Sequence, residues 1–468
     1  MIRRLVIFGA SGDLTSRFLV PALARLQQGG LLPDGFHVLG LARDDWDTET
    51  FRRRIEEKLE RASPPVYPSS RKDILSILEY RRADVTDRRQ IANALGSLTE
   101  PFVAYLALPP TLFRPTVEAL AALGPPKGGK IVLEKPFGQN RESAQALNRL
   151  LHVSFPEEAV FRLDHFLGKQ TVQNILGLRF ANRIFEPLWN SQHVERIDIV
   201  WDETLTAAGR ASFYDGTGAL RDMVQNHLLQ LLTLIAMEPL HTLNERILRD
   251  RKVDVLQAIR RLSPDEVVRW TVRGRYSRGA IGEREILAYV QEEGVDPQRG
   301  TETFAQVTLM VDNWRWAGVP FTLRTGKALK QDRREIAVHF RPAPHLAFGQ
   351  EDDPRPNVLR LELDPDRITL GVNINSPGDL FGLERAELDT MLPSPSLPAY
   401  GRLLLDVLKG DPLLSIRDDE AEESWRIVEP ILDVWAGGGV PLQDYPAGSE
   451  GPDVTAAPAW TVLHRTRA

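Results

Sequence analysis

Arg4-Leu5-Val6-Ile7-Phe8-Gly9-Ala10-Ser11-Gly12-Asp13-Leu14 decides the fold of the first part of the chain. Arg4–Phe8 reads as a buried strand that runs straight into a glycine turn. From Leu14 onward, Phe18, Leu19, Ala22, Leu23 and Leu26 keep helical spacing until Gly29-Gly30 stops it. His37–Ala42 is the next strand, so the unit is strand, helix, strand of the parallel type. Residues 102–107 and 130–133 continue the pattern, with apolar-periodic helices between them. This part is predicted to be α/β, a doubly wound parallel sheet of Rossmann type.

Glycines at such a turn let the backbone approach a pyrophosphate, and the helix that follows offers free N–H groups and a positive dipole end. The pattern is Gly9-x-x-Gly12, with Ser11 and Leu14 where a full fingerprint carries glycines. A plain tight turn would give the same letters; the placement after the first strand favours the nucleotide. Gly9, Ser11, Gly12, Asp13 and Leu14 are the candidate coenzyme contacts. At the end of the second strand Arg43 suits a 2′-phosphate, whereas Asp44 suits ribose hydroxyls and repels a phosphate. A solvated charge pair at a strand end is the other reading of these two neighbours.

Beyond the midpoint the pattern changes. One long helix is expected over 219–237, followed by alternating segments at 304–311, 336–340, Val358–Leu363 and 368–374. These predict an α+β part built on a large, mostly antiparallel sheet. Residues 392–398 and 437–439 read as loops, and no repeat of fixed period is present.

At 468 residues the chain should hold more than one domain, and 42% apolar with 26% charged residues is ordinary globular composition. A net charge of −6, with pI near 5.9, argues against nucleic-acid or anionic-membrane partners, so any phosphate site must be local. The absence of cysteine excludes disulfides, thiolate nucleophiles and cysteine-ligated metals. The nine histidines show no metal-ligand pair at helical spacing, and no metal is expected. The apolar run 228–237 is too short for a membrane span, and the start of the chain lacks an export-type core; a cytoplasmic location is expected.

Three segments bring reactive side chains together: Asp164-His165-Phe166-Leu167-Gly168-Lys169, Arg221 to His227, and Arg324-Thr325-Gly326-Lys327. His227 falls on the stripe Leu220, Val224, Leu228 and Leu231, where a packed core histidine is the ordinary outcome. Asp222, Gln225 and Asn226 beside it are too polar for a helix that only packs, which points to a general base. Asp164 is the natural carboxylate to orient it. His165 and Lys169, four apart, would share a helical face and clamp an anion. Glu203 and Asp222 offer acceptors for sugar hydroxyls, and Lys135 and Lys327 offer donors. Taken one at a time, each of these is also a plain surface charge.

In chain order stand Gly9 to Leu14, Tyr105-Leu106-Ala107-Leu108-Pro109-Pro110, Glu134-Lys135-Pro136-Phe137-Gly138 and Asp164 to Lys169. Gly216 to His227, Gly318-Val319-Pro320-Phe321, Arg324 to Lys327 and Tyr445-Pro446-Ala447-Gly448-Ser449 follow. The resemblance these segments carry, over almost the whole length of the chain, is to the glucose-6-phosphate dehydrogenase family. It implies oxidation of β-D-glucose 6-phosphate at C1 with hydride passing to NADP or NAD. His227 is then the general base and Asp164 the group that stabilises its imidazolium. His165 and Lys169 hold the 6-phosphate; Lys135, Glu203, Asp222 and Lys327 hold the sugar, and Lys135 also faces the coenzyme. It further implies a coenzyme domain, residues 1–163, and a substrate and dimerisation domain, residues 164–468, in a homodimer or homotetramer.

Three positions depart from the family's pattern. Phe166 stands where a tyrosine hydroxyl usually bonds the substrate phosphate, a loss of about 1.5–3 kcal/mol, or roughly ten- to a hundredfold in affinity. Asp332 stands where a cation is usual, with Lys330 and Arg333 as substitutes. Asp44 follows Arg43 where relatives carry a neutral or basic residue, which moves preference toward NAD. Two alternatives stay open on these grounds. One is a Rossmann dehydrogenase of a different or unphosphorylated sugar; the other is a catalytically silent relative that binds nucleotide or sugar phosphate.

Overall fold

The computed structural model describes residues 1–61, 66–96, 100–124, 127–347 and 355–454. The chain divides into two compact units of three segments each. The first is Met1–Lys169 with His241–Asp250 and Pro395–Glu422; the second is Gln170–Leu240 with Arg251–Ser394 and Glu423–Ala468.

In the first unit β1 (Arg4–Phe8), β2 (His37–Ala42), β3 (Leu78–Arg82), β4 (Val103–Leu106), β5 (Lys130–Glu134) and β6 (Val160–Leu163) form one sheet in the order β3-β2-β1-β4-β5-β6. Every pairing is parallel. Helices cover such a sheet on both faces, which is why β4 and β6 are buried at every residue. The order reverses between β1 and β4, and at this switch point doubly wound sheets bind their ligands.

β3 and β6 do not stand out in the sequence. β3 is an edge strand that buries only Leu78 and Tyr80, and β6 hides a charged residue in its core. Arg162 is fully buried, with Nη1 2.8 Å from Glu157 and Nη2 2.8 Å from Asn148 Oδ1. Its backbone N–H donates to Ser415 Oγ at 2.9 Å and its carbonyl accepts from the Ile416 N–H at 3.0 Å. These bonds hold Pro395–Glu422 against β6.

The second unit carries a nine-stranded sheet built from β7 (Val194–Asp202), β8 (Thr271–Ser277), β11 (Phe304–Met310), β12 (Pro320–Gly326), β13 (Arg333–Phe340), β14 (Val358–Leu363), β15 (Asp366–Asn375), β16 (Leu383–Met391) and β17 (Leu442–Pro446); β9 (Gly279–Ile281) and β10 (Arg284–Ile286) form a separate hairpin. The order is β16-β15-β14-β13-β7-β12-β11-β8-β17, antiparallel except where β7 meets β12 and β8 meets β17. Strands such as β14 alternate buried and half-buried residues, as expected of a sheet packed harder on one face.

The helix expected over 219–237 is present but not uniform. Leu220–Leu228 winds as a π-helix and Leu229–Ala236 as an α-helix. Long π-helical stretches are rare and concentrate at functional sites. Among the described residues no helix is long and apolar enough to cross a membrane.

Candidate active site

Gly9 adopts φ +86°, and a Cβ there would lie 2.3 Å from the Ala107 carbonyl oxygen, so only glycine fits. The Gly9 and Ala10 N–H groups both donate to the Leu41 carbonyl, at 2.7 and 3.1 Å, which fixes the turn against the end of β2. A Cβ on Gly12 would meet nothing within 4 Å except the Gly9 carbonyl, leaving room above the backbone. Ser11 is half-buried, Asp13 is exposed and paired with Arg17 at 3.5 Å, and Leu14 opens a helix whose first part, Thr15–Leu19, is π-helical. This cradle fits a pyrophosphate.

Beyond β2 the Arg43 side chain is exposed and Asp44 is half-buried. The Tyr80 hydroxyl donates to the Asp44 carbonyl at 2.9 Å, and its own pKa is pushed up to about 12 by burial and then by the Asp44 charge. Arg82 bonds the Arg43 carbonyl at 3.2 Å and pairs with Asp45 at 3.0 Å. Tyr80 and Arg82 come from β3, and the sequence did not flag either.

At the ends of β5 and β6, Glu134 is followed by Lys135, in a cis peptide with Pro136, and Leu163 by Asp164. Asp164 is 1% exposed, and its Oδ1 accepts the Phe166 N–H at 2.9 Å. It thereby caps a short 3-10 turn, His165–Gly168, and Lys169 leaves that turn in extended conformation. The α-helical face predicted for His165 and Lys169 is therefore absent, because the turn is too tight for i,i+4 neighbours. The two instead flank the buried Phe166 ring: His165 edge-on at 5.0 Å, and Lys169 Nζ 5.8 Å from its centroid. Tyr400, from the returning segment, stacks on His165 at 5.8 Å with ring planes 8° apart. A Cβ on Gly168 would come within 2.7 Å of the Ala399 carbonyl, so that residue too must be glycine.

In the second unit the π-helical stretch presents Asp222, Gln225, Asn226 and His227, with His227 1% exposed. Asn226 serves the helix itself: its amide donates to the Arg221 carbonyl at 3.0 Å and its Oδ1 accepts the His227 N–H at 2.6 Å. Both ends of this helix are tied down. At the start, the Leu220 N–H donates to the Glu302 carboxylate at 3.0 Å and the Ala219 N–H to the Glu302 carbonyl at 3.1 Å. Burial pushes the Glu302 carboxyl up in pKa, while the Leu220 N–H holds it down. At the far end, donors meet the carbonyls that a helix leaves unpaired. Arg179 bonds those of Leu234 and Met237 at 3.0 and 2.8 Å, Trp189 Nε1 that of Ile235 at 2.8 Å, and Trp316 Nε1 that of Ala236 at 2.7 Å.

Glu203 and Lys327 meet at 2.8 Å, with Lys327 Nζ also 5.3 Å from the Tyr214 ring centroid. The Tyr445 hydroxyl holds the Lys327 carbonyl at 2.7 Å. Asp332 has partners of its own. It accepts the Thr204 N–H and hydroxyl at 2.6 and 2.9 Å and pairs with Arg334 at 2.9 Å. Of its suggested substitutes, Lys330 pairs with Glu450 at 3.2 Å and Arg333 lies 3.8 Å from Asp202.

Residues 6–174 match the family model "Glucose-6-phosphate dehydrogenase, NAD binding domain", and residues 176–461 match "Glucose-6-phosphate dehydrogenase, C-terminal domain". The chain belongs to the glucose-6-phosphate dehydrogenase family. Glucose-6-phosphate 1-dehydrogenase of Treponema pallidum is 41% identical, covering 97% of this chain and 94% of that protein. The enzyme of Zymomonas mobilis is 38% identical, covering 97% of both. Among solved structures, glucose-6-phosphate 1-dehydrogenase from Mycobacterium avium superposes with TM-score 0.85 at 35% identity, over 96% of this chain and 95% of that one. A glucose-6-phosphate dehydrogenase in complex with its substrate glucose-6-phosphate superposes with TM-score 0.87 at 31% identity, over 99% and 98%. The family's two domains thus account for both the parallel sheet and the larger, mostly antiparallel one.

Proposed function

We propose that this protein oxidises β-D-glucose 6-phosphate at C1 to 6-phosphoglucono-1,5-lactone, using NADP or NAD. The observation that carries this reading is the superposition, over 99% of the chain, on a family member holding glucose 6-phosphate. When bound, the coenzyme supplies the hydride acceptor. Gly9, Ser11, Gly12, Asp13 and Leu14 hold its pyrophosphate, with the free N–H groups of the helix start as donors. His227 removes the O1 proton, and Asp164 stabilises the resulting imidazolium. His165 and Lys169 bind the 6-phosphate; Lys135, Glu203, Asp222 and Lys327 bind the sugar, and Lys135 also borders the coenzyme. Residues 1–163 are the core of the coenzyme domain, whose compact unit also takes in residues up to Lys169, His241–Asp250 and Pro395–Glu422, and the rest of 164–468 is the substrate domain, in a cytoplasmic homodimer or homotetramer.

A steady-state comparison of glucose 6-phosphate with free glucose tests the substrate. A kcat/KM at least about a hundredfold higher for the phosphorylated sugar is expected, because Lys169 and His165 each add a charge-assisted bond worth about 1.5–3 kcal/mol. A higher kcat/KM for glucose would sink the assignment.

Coenzyme choice is proposed to rest on the Arg43–Asp44 pair, Arg43 admitting NADP and Asp44 favouring NAD. Replacing Asp44 by alanine should raise the NADP:NAD ratio of kcat/KM about tenfold, since it removes one like charge, about 1.4 kcal/mol, from beside a 2′-phosphate. An unchanged ratio would exclude Asp44 from the choice.

A further inference from the structure

Glu134 closes β5 at the carboxyl edge of the parallel sheet, the edge on which β1 runs into the Gly9 turn. Only β4 lies between β1 and β5, which places them about 10 Å apart. The two halves of such a sheet each take one mononucleotide; the adenosine half belongs with β2 and its Arg43–Asp44 end, and the nicotinamide half with β4 to β6. Glu134 therefore stands on the nicotinamide side.

The Glu134 carboxyl is gripped by hydroxyls. Tyr105, fully buried on β4, donates to Glu134 Oε1, and Tyr400 supplies a second hydrogen bond from the returning segment. Among the described residues, the charged groups that weigh most on it are Asp164, beyond β6, and Lys135, its own neighbour. Burial, helped by the Asp164 charge, lifts its pKa to about 7 against the opposing tyrosine bonds and Lys135. A carboxyl in this balance changes protonation when one unit of charge nearby changes.

We propose that Glu134 senses the charge of the nicotinamide, ionised beside the cationic oxidised ring and protonated beside the neutral reduced one. This rests on the dehydrogenase reading above. The charges balance as follows: the hydride leaves C1 for the ring and cancels its positive charge, the O1 proton goes to His227, and Glu134 takes a proton from solvent. That proton returns to solvent when oxidised coenzyme replaces reduced, so the overall reaction releases the same number of protons. The effect is a product that is held less tightly as pH rises.

The test is the affinity of the intact protein for oxidised and for reduced coenzyme, without sugar, by calorimetry from pH 6 to 9. The ratio Kd(reduced)/Kd(oxidised) should climb about tenfold across this range, as expected if the Glu134 pKa differs by about one unit between the two complexes. Binding of reduced coenzyme should take up a proton, seen as a heat that depends on buffer ionisation. Glu134→Gln should keep the low-pH ratio at every pH. Tyr400→Phe should move the midpoint upward, because the ionised carboxyl loses a donor. A flat wild-type ratio, or a slope that survives in Glu134→Gln, overturns the inference while leaving the dehydrogenase reading intact. Failure to bind either coenzyme overturns both.

Discussion

Replacing His227 by asparagine should lower kcat about a thousandfold, the middle of the range for removing a general base, and leave KM for glucose 6-phosphate nearly unchanged. Asparagine keeps a polar side chain of similar reach but cannot accept the O1 proton at neutral pH. The substitution keeps the backbone N–H of residue 227, which donates to Asn226 Oδ1. The check is a steady-state comparison with a thermal melt in parallel. A variant that folds and turns over at a near-normal rate would remove His227 from the chemistry.

Replacing Arg179 by methionine should cost about 4 kcal/mol of stability, within the range for breaking a buried charge pair and orphaning its acceptors. Arg179 is fully buried, and burial lowers its pKa to about 10 against the opposing pull of Glu186. The change strands the Leu234 and Met237 carbonyls and removes one partner of Glu186, which keeps Arg315 at 2.9 Å. Methionine still fills the space between the Phe180 and Trp189 rings that the guanidinium faces at 4.5 and 5.4 Å. Urea unfolding reads the loss, and a midpoint unchanged from wild type would show the carbonyls find other donors. Lysine should recover little, since it cannot fork to two carbonyls and a carboxylate.

The parallel sheet was legible because β1, β2, β4 and β5 are apolar runs between helical periods, and Gly9 sits where only glycine can turn. β3 and β6 were not, for opposite reasons: one is half polar at an edge, the other conceals Arg162. The helix of His227 was visible from its stripe, but its wide turns were not, since the stripe was read with a 3.6-residue period and the π-helical stretch keeps a different one. Asp164, His165 and Lys169 stood out as a dense polar cluster. Their setting did not, because Tyr400 reaches them from 235 positions beyond His165. Glu134 enters the sequence reading only within Glu134-Lys135-Pro136-Phe137-Gly138. Its significance lies in Tyr105 and Tyr400, which no local pattern ties to it. Asp332 is a charge of unusual sign in the sequence, and only the fold supplies its partners, Thr204 and Arg334.

The wide turns of Leu220–Leu228 have a consequence for how this protein can vary. A π-helical stretch is an α-helix with residues to spare, and Glu302 at one end with Arg179, Trp189 and Trp316 at the other fix the distance it must span. Its length matters as much as its side chains: a residue removed is taken from the wide turns, which tighten toward 3.6 residues each and re-phase the side chains between the two fixed ends, His227 among them. Insertions and deletions should therefore be tolerated in the loops of this chain and rejected here.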